Sequence, residues 1–387
     1  MDTNKKDDMF DFFGITKPLF VMYSLPGDDL QRFVDRETLL KYFSASIRNG
    51  QRCAVLGDAG SGKSAFLLKL LDITKDSIYG DYLQFSFPEE SKKSRLHFLR
   101  RILRSILYMI IKHDKLLEHF NHEEIDFEIK RLEYSVVIED YVKKQESHGG
   151  EVEGGIKGNF LSFLIPAEFT ARLKVNREQE TGKTERKDFP VHNEDTLFAS
   201  IGKLLEKIDQ PIVLFIDELD KTGRYPLESP VWDKEVIRIL ELSRDLMLTD
   251  KLILVFALQN ELFEKLSLAV SEGRDLSILG LINAFKKIGG FNLEFAREAV
   301  NASLKYAGYK RTMGDLFETG VIETVLLKVA GNPRWFMWFL IELAKETHAK
   351  NQPKISLALL KDFMFEIDPK MTPEKWHELT AKIPELK

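Results

Sequence analysis

Four residues near the start of the chain stand at a spacing that binds phosphate. Gly57, Gly62, Lys63 and Ser64 fit the pattern G-x-x-x-x-G-K-[ST]. Backbone N–H groups can surround a dense anion only where no Cβ intrudes, which explains the glycines. A helix that begins at such a loop adds the positive end of its dipole. The pattern therefore predicts a site for a nucleoside triphosphate.

Each residue of this loop has an expected role. Lys63 should reach the β- and γ-phosphates, and the Ser64 hydroxyl should ligate Mg²⁺. A chance match is the alternative, and at average residue usage it would arise in a chain of this length about once in a hundred times. An apolar run, Cys53–Leu56, and an apolar helical pattern, Ala65–Leu71, flank the loop and argue against chance. The other expected nucleotide contacts are Asp58, Ala59, Gly60, Ser61 and Ala65.

Two adjacent acids follow a nearly continuous apolar run. Asp217 and Glu218 come directly after Ile212–Ile216, a run typical of a strand that is buried on both faces. In open parallel sheets ligands bind beyond the carboxyl ends of the strands, so these acids should lie beside the phosphate loop. Asp217 is expected to hold Mg²⁺ through water, and Glu218 to orient and polarise the attacking water. Alternatively, Asp217 and Glu218 are ordinary acidic residues in a turn after the strand and have no role in binding or catalysis.

Amides follow the next apolar run, Lys251–Leu258. The side chain of Gln259 or Asn260 would touch the γ-phosphate or the attacking water. Alternatively, Asn260 only caps a helix that begins at Glu261. The sequence leaves open which of the two amides faces the nucleotide.

A single arginine stands at a predicted helix start near the C-terminal end. Gly331 ends one helical pattern and Pro333 begins the next, so Arg334 falls in the first turn. A cation is unfavourable there, because that end of the helix dipole is positive, and a bound anion would explain it. An exposed arginine without a ligand is the alternative.

The segment before the phosphate loop is a candidate for contact with the base. Phe33–Glu37 precedes a helical pattern from Thr38 to Asn49, and Val34 could cover the adenine. The alternative is a simple helix start with Asp35 as its cap.

The composition is that of a globular chain without excess basic charge. Its 387 residues are 44% apolar and 30% charged, with a net charge of −5. This length suggests two or three domains. No overall field attracts nucleic acid or anionic membrane, so such a contact would need a local patch. The single cysteine, Cys53, excludes an intramolecular disulfide and suits a reducing cytosol.

The sequence shows no signal for export or membrane insertion. Residues 1–8 are polar and mixed in charge, unlike a signal peptide. The longest strongly apolar stretches, Ile106–Ile111 and Trp335–Leu343, are too short to cross a bilayer. We expect a cytoplasmic protein without membrane contact.

Residues 147–191 change the character of the chain. The segment opens with glycines, and Phe169, Ala171, Leu173 and Val175 then alternate with polar residues. A period of two predicts strand, and we interpret the segment as a protruding β-ribbon that would contact a DNA or protein client.

A basic stripe lies on the predicted helix Ser94–Lys112. A stripe of this kind is usually a solvated face, and contact with nucleic acid is the alternative. Its members are Arg95, Arg100, Arg101 and Arg104.

Weaker patterns complete the predicted elements. Tyr82–Phe87 and residues 287–293 are predicted strands, and the aromatic-rich residues 9–26 predict an irregular arm packed on the main body. The predicted C-terminal helices are Glu294–Tyr306, Asp315–Ala330, Pro333–His348 and Ser356–Glu366.

Together these motifs resemble those of AAA+ P-loop ATPases or a close STAND-type relative, with the Orc/Cdc6 initiator-like group as the nearest form. The resemblance runs from about Phe33 to Glu366. Ile216–Lys221 together with Asn332-Pro333-Arg334 is also similar to the KAP-type NTPases. The motifs are Gly57–Ser64 as Walker A, Ile212–Asp220 as Walker B, Gln259 or Asn260 as sensor 1, Gly331–Arg334 as sensor 2, and Phe33–Glu37 as the pre-loop box.

The resemblance implies an α/β fold. A three-layer αβα P-loop domain with a five-stranded parallel sheet would be followed by a small, all-helical lid, and ATP with Mg²⁺ would bind between them. The expected domains are an arm at 1–32, the ATPase domain with its inserted ribbon at 33–293, and the lid with a tail at 294–387.

The resemblance also implies partners. We expect a homo-oligomer formed or stabilised by ATP, in which an arginine finger reaches into a neighbour's site. Arg274 is the first choice for that finger and Arg224 the second, although both could be ordinary loop arginines.

Two functions follow from these expectations. The first is an ATP-hydrolysing motor or switch that acts on a protein or nucleic-acid partner. The second is a STAND-like signalling ATPase with slow turnover, whose effector is a separate chain. A helicase ranks last, because no second RecA-like lobe is recognisable.

Overall fold

The computed structural model describes most of the chain. The described residues are 9–22, 25, 27–34, 36–85, 94–132, 193–219, 230–247, 249–271 and 282–386. The predicted ribbon at 147–191, the finger candidates Arg224 and Arg274, and the cap candidate Asp35 all lie outside them.

Five parallel strands form one sheet in the order β2-β3-β4-β1-β5. The central strands β3 and β4 are buried along their whole length, because helices cover both faces, and this explains their continuous apolar sequence. The bounds of the five strands are Cys53–Leu56 for β1, Tyr79–Gln84 for β2, Ile212–Asp217 for β3, Leu252–Leu258 for β4 and Ala284–Lys287 for β5.

The sheet is the middle of three layers. Val213 and Phe215 of β3 point to one face, where they pack with helices Glu37–Arg48 (α2) and Lys63–Thr74 (α3). Leu214 and Ile216 point to the other face, which is covered by helices Ser94–Lys112, Glu194–Glu206 and Pro230–Met247. The three-layer αβα fold with a five-stranded parallel sheet, predicted from the resemblance to AAA+ P-loop ATPases, is thereby confirmed.

A helical region follows the sheet and has its own hydrophobic core. The aromatic N-terminal arm packs here rather than on the sheet, with Phe13, Leu19 and Phe20 inside this core and the Thr16 N–H bonded to the Ala307 carbonyl at 2.9 Å. Its helices are Leu293–Ala307, Met313–Leu316, Val321–Lys328, Pro333–Ala349, Leu357–Ile367 and Pro373–Thr380.

Some predicted boundaries are wrong. The last strand is Ala284–Lys287, not 287–293, because the latter stretch contains Gly289 and Gly290 and runs as a linker into the helix Leu293–Ala307. Three of the four β5 residues are exposed, so no apolar run marks this edge strand.

Two further boundaries differ. The second strand begins at Tyr79 rather than Tyr82. The helix predicted over 315–330 is two helices, divided at Gly320, whose φ of +88° cannot continue a helix.

Three further helices of the described chain pack beside the sheet, and they are Asp114–Leu117, a helix over 122–132 and Asn260–Ser271. Met9–Phe13 belongs to the arm on the helical region, and 3₁₀ turns lie at Gly27–Arg32 and Pro384–Leu386. In the part of the chain that the structure describes, every helix is too short or too polar to span a bilayer.

Candidate functional site

The phosphate loop joins β1 to α3 at the carboxyl edge of the sheet. Gly60 and Gly62 have φ values of +77° and +92°, which favour glycine. A Cβ on Gly60 would lie 2.7 Å from Asn332 Oδ1 and 3.0 Å from the Arg334 Cβ. The loop therefore needs glycine both for its conformation and for its close contact with the helical region.

Lys63 begins α3 and is 9% exposed. Its ammonium donates hydrogen bonds to the carbonyl oxygens of Gly57 at 2.8 Å and Asp58 at 3.1 Å. These bonds fold the Lys63 side chain over the loop. Its ammonium group therefore lies at the position where the loop would enclose a phosphate. The position fits the predicted contact with the β- and γ-phosphates.

Asp217 ends β3 and is 3% exposed. Its Oδ1 accepts a hydrogen bond from the Glu218 N–H at 2.8 Å, and its Oδ2 accepts one from the Tyr82 hydroxyl at 2.5 Å. Burial and the Asp217 carboxylate raise the pKa of the Tyr82 phenol, which therefore keeps its proton at neutral pH. The Tyr82 hydroxyl thus remains a donor to the buried Asp217 carboxylate.

Glu218 has a φ of +63°, a left-handed conformation that is uncommon outside glycine. This turn directs the residue away from the line of β3. Its Oε2 accepts a hydrogen bond from the Gln84 side-chain amide at 2.6 Å. Gln84 lies opposite Asp217 in the register of β2 and β3, which brings the amide within reach of the carboxylate.

The two amides after β4 have different surroundings. Asn260 is buried at the start of the helix Asn260–Ser271, and its amide donates a hydrogen bond to the Asp58 carboxylate. Gln259 instead lines a cavity together with Lys63 and Glu218. The geometry therefore favours Gln259 as the residue facing a nucleotide and gives Asn260 a structural contact with the loop.

The Gly331–Arg334 turn lies directly on the phosphate loop. The Asn332 amide donates to the Ala59 carbonyl at 2.9 Å, and the Arg334 N–H donates to the Gly60 carbonyl at 3.3 Å. Asn332 also caps the helix Pro333–Ala349 through its side-chain oxygen. The exposed side chain of Arg334 lines the same cavity as Lys63.

Arg36 is a second link between the loop and the linker to the helical region. One guanidinium nitrogen donates to the Ser61 carbonyl at 3.0 Å and to the Gly289 carbonyl at 2.9 Å. The residue has a φ of +71° and is the N-cap of α2 without a side-chain capping bond. The simple alternative for this segment, a helix start with Asp35 as its cap, does not describe it, because the cap residue is Arg36.

The cavity also has an apolar lining that comes from several segments. Val34, the residue predicted to cover the adenine, is part of it, together with Phe33. The N-terminal arm contributes further walls, which the sequence did not predict. The apolar lining residues from the arm, linker and helical region are Val21, Met22, Leu25, Phe291, Ala299 and Met337.

Among the predicted site residues that the structure describes, most line this one cavity and three do not. Gly57, Asp58 and Asn260 lie behind the lining, where they support the loop through the contacts with Lys63 and between Asp58 and Asn260. The lining residues are Val34, Ala59, Gly60, Ser61, Gly62, Lys63, Ser64, Ala65, Asp217, Glu218, Gln259 and Arg334.

Tyr82 and Gln84 are functional candidates that sequence reasoning missed. Both lie on β2, which pairs with β3 although the two strands are far apart in sequence. The sequence contained only one usable signal, a strand pattern around these residues. Their contact with the acids depends on the strand order, which no local pattern reveals.

The basic stripe is not a uniformly solvated face. Arg100 is 7% exposed, Arg95 pairs with Glu194, and Arg101 donates to the Gln84 carbonyl at 2.9 Å. Burial lowers the pKa of both Arg101 and Arg104. The stripe therefore serves the packing of this helix against the sheet, and this weakens the interpretation as a nucleic-acid contact.

The donor set fits a magnesium–triphosphate pair. Ser64 and Asp217 offer hard oxygen ligands, and Lys63 lies at a loop in which Gly60 and Gly62 adopt positive φ values. Among the described residues, no group of three or more His, Cys, Asp or Glu side chains could hold a metal ion. Mg²⁺ would here depend on phosphate oxygens as additional ligands.

No protein-family model matches the chain. No curated protein matches it either.

Several solved structures are similar. The ORC1 protein of Aeropyrum pernix in complex with DNA has a TM-score of 0.45 at 11% identity, over 91% of this chain and 71% of that one. A RuvB variant of Thermotoga maritima has a TM-score of 0.40 at 10% identity, over 87% and 73%. A Walker-type ATPase of Pyrococcus abyssi has a TM-score of 0.40 at 13% identity, over 95% and 93%. These likenesses concern the fold alone.

Proposed function

We propose that this chain is an Mg²⁺-dependent ATPase of the AAA+ type, which converts ATP and water to ADP and phosphate. One observation carries the proposal: Lys63, Asp217, Glu218 and Arg334 line a single cavity between the sheet and the helical region. A cation in a glycine loop, two acids on a strand end and a second cation on a helix start are the groups that phosphoryl transfer requires.

Each group would have one task. Lys63 and the loop N–H groups would bind the phosphates, and Arg334 would add positive charge from the helical side. Ser64 and Asp217 would hold Mg²⁺, which, when bound, neutralises charge on the phosphates. Glu218 would orient the attacking water and accept its proton, and Gln259 would contact the γ-phosphate or that water.

The base would occupy the apolar end of the cavity. Val34, Met22 and Met337 offer apolar contact there, and they belong to the pre-loop segment, the arm and the helical region. A nucleotide in this position would touch all three segments at once. ATP binding would therefore stabilise one arrangement of the helical region relative to the sheet.

The wider role is an oligomerising motor or switch. The chain would assemble into a homo-oligomer in the presence of ATP, with Arg274 as the first candidate for the arginine finger. The 147–191 segment would contact a DNA or protein client.

Mass measurement with and without ATP tests the assembly. Mixing Lys63→Ala with Arg274→Ala subunits tests the finger, and mixed assemblies without any restored activity would count against Arg274.

The alternative is a signalling ATPase with slow turnover and a separate effector chain. The direct bonds between the Gly331–Arg334 turn and the loop support this alternative, since they would hold the helical region closed against the phosphate loop. Under the alternative, ADP would remain bound through purification and multiple turnover would be barely measurable.

Glu218→Gln tests the ATPase proposal. The side-chain amide of the introduced glutamine cannot accept a proton from the attacking water. ATP turnover should therefore fall about 100-fold or more while ATP still binds. Steady-state phosphate release and the affinity for a fluorescent ATP analogue measure the two effects. Glu346→Gln, in an ion pair with Lys350 on the helical region, is the matched control and should change neither. Unchanged turnover in Glu218→Gln would refute the assigned base.

A further inference from the structure

We propose that the Tyr82 hydroxyl is a positioning group of the Mg²⁺ site, which holds Asp217, one of the two expected metal ligands, in one arrangement. This inference rests on the proposed function, because it assigns Tyr82 a part in the binding of Mg²⁺ with ATP. Tyr82 would not itself ligate the metal, and it would act through the side chains it touches.

The hydrogen bond between Tyr82 and Asp217 has only one consistent direction. A phenol has one proton, and here it is donated to Asp217 Oδ2 at 2.5 Å, since a carboxylate only accepts. The other lone pairs of the Asp217 carboxylate stay available for a cation.

Asp217 is fixed at both of its oxygens. Oδ2 accepts from Tyr82, and Oδ1 accepts from the Glu218 N–H at 2.8 Å. Its exposure of 3% means that protein groups rather than bulk water orient the carboxylate. Removing the phenolic donor would leave one buried oxygen without this bond and would free the carboxylate to rotate.

Tyr82 has the support that a positioning residue needs. Its ring packs against the hydrophobic cluster that contains Phe66 of α3 and Phe215 of β3. Tyr82 and Phe215 are also partners in the strand register. β2, which carries Tyr82, thus holds the end of β3 that carries Asp217.

The simpler interpretation is a core tyrosine whose hydroxyl merely satisfies a buried acid. The two interpretations differ in what the hydroxyl does for metal binding. Partners that orient metal ligands typically contribute about 10- to 100-fold to metal affinity. A hydroxyl with only a structural role would change thermal stability and leave the metal requirement as it was.

Tyr82→Phe separates the two interpretations, because it removes the hydroxyl and keeps the ring. The probe is a fluorescent, non-hydrolysable ATP analogue, whose binding is measured in EDTA and during a Mg²⁺ titration. We expect the half-saturating Mg²⁺ concentration to rise about tenfold, with unchanged affinity in EDTA. Tyr79→Phe, on the same strand and packed against His113, is the matched control and should behave as wild type.

Three results would overturn the proposal. They are an unchanged Mg²⁺ requirement, a tighter one, or an equal loss of affinity with and without Mg²⁺. A wild-type protein that binds no analogue, or whose binding ignores Mg²⁺, would refute the proposed function instead, before any variant is compared. Thermal unfolding of Tyr82→Phe and Tyr79→Phe shows whether both variants fold.

A double-mutant cycle with Asp217→Asn supplies a second test. If Tyr82 acts through Asp217, removal of the phenolic hydroxyl should weaken Mg²⁺ binding less in the Asp217→Asn background than in wild type. Purely additive losses would mean that the two side chains act independently, and the assigned link between them would be wrong.

Discussion

Under the proposed function the cavity has a phosphate end and a base end, and the two differ in the kind of contact they offer. At the phosphate end, Lys63, Asp217 and Glu218 are each held by specific hydrogen bonds to backbone or side-chain groups of the chain. At the base end, apolar side chains such as Val21 and Met337 come from separate segments and offer nonpolar surface rather than directed hydrogen bonds.

This difference predicts different responses to mutation. A directed hydrogen bond to a charged group is lost completely when one partner is removed, so changes at the phosphate end should be large or should alter the chemistry. Apolar contact scales with buried area, so changes at the base end should be graded and should affect binding alone. The following substitutions would sharpen or break this contrast.

The largest effect is expected for Lys63→Ala. Loss of a cation that binds phosphate should weaken ATP affinity about 100-fold, given the strength of hydrogen bonds to charged groups. Calorimetry or the fluorescent analogue measures the affinity. Lys69→Ala, in a salt bridge with Asp72 on the same helix, is the control and should bind as wild type. Equal affinity in both variants would contradict the phosphate role.

Gly60→Ala should have the next largest effect. The new methyl group would meet Asn332 Oδ1 at 2.7 Å, and the residue would keep an unfavourable φ of +77°. The strain should weaken ATP affinity about tenfold. Gly202→Ala is a matched control, since Gly202 lies in a helix and a methyl group added there would meet no neighbouring atom within 4 Å. Normal ATP affinity in Gly60→Ala would show that the loop and the helical region can shift apart at little cost in free energy.

Met337→Ala tests the base end. Loss of its apolar contact should weaken ATP affinity about fivefold and leave turnover at saturating ATP unchanged. Titrating ATP in a steady-state assay separates the two quantities. Met371→Ala, partly buried in the helical core away from the cavity, controls for indirect destabilisation. A fall in saturated turnover would mean that the base end also shapes the chemistry, which would remove the contrast.

Gln84→Ala should have the smallest effect and the opposite sign. The bond from Gln84 occupies one oxygen of the Glu218 carboxylate and restrains its orientation. Its release should raise saturated turnover a few-fold, up to about fivefold, without changing ATP affinity. Gln210→Ala, an exposed change before the other end of β3, should leave turnover as it is. Slower turnover in Gln84→Ala would show instead that the amide helps Glu218 to act.

The sequence predicts best what is local. The phosphate loop is one short run in which the same residues determine both conformation and chemistry, and β3 and β4 are continuous apolar runs because both of their faces are covered. These features need no knowledge of distant segments. The loop, the two acids and the buried strands could therefore be located from the sequence alone.

Contacts between distant segments could not be located in this way. The effect of Tyr82 on Asp217 depends on the pairing of β2 with β3, and the arm lies on the helical region through Phe13 and Leu19. The edge strand Ala284–Lys287 was misplaced because three of its side chains are exposed. The domain boundaries, the sensor roles and the arginine finger stay predictions.

The linker and the Gly331–Arg334 turn touch backbone to backbone. The Phe291 N–H donates to the Gly331 carbonyl at 2.7 Å, and a Cβ on Gly290 would lie 2.6 Å from that same oxygen. Because neither partner of this bond is a side chain, sequence drift around it would leave it intact, whereas replacing either glycine would force the two segments apart. The helical region is thus joined to the linker through backbone atoms. A movement of the helical region would therefore be transmitted to the phosphate loop through backbone contacts, without depending on flexible side chains.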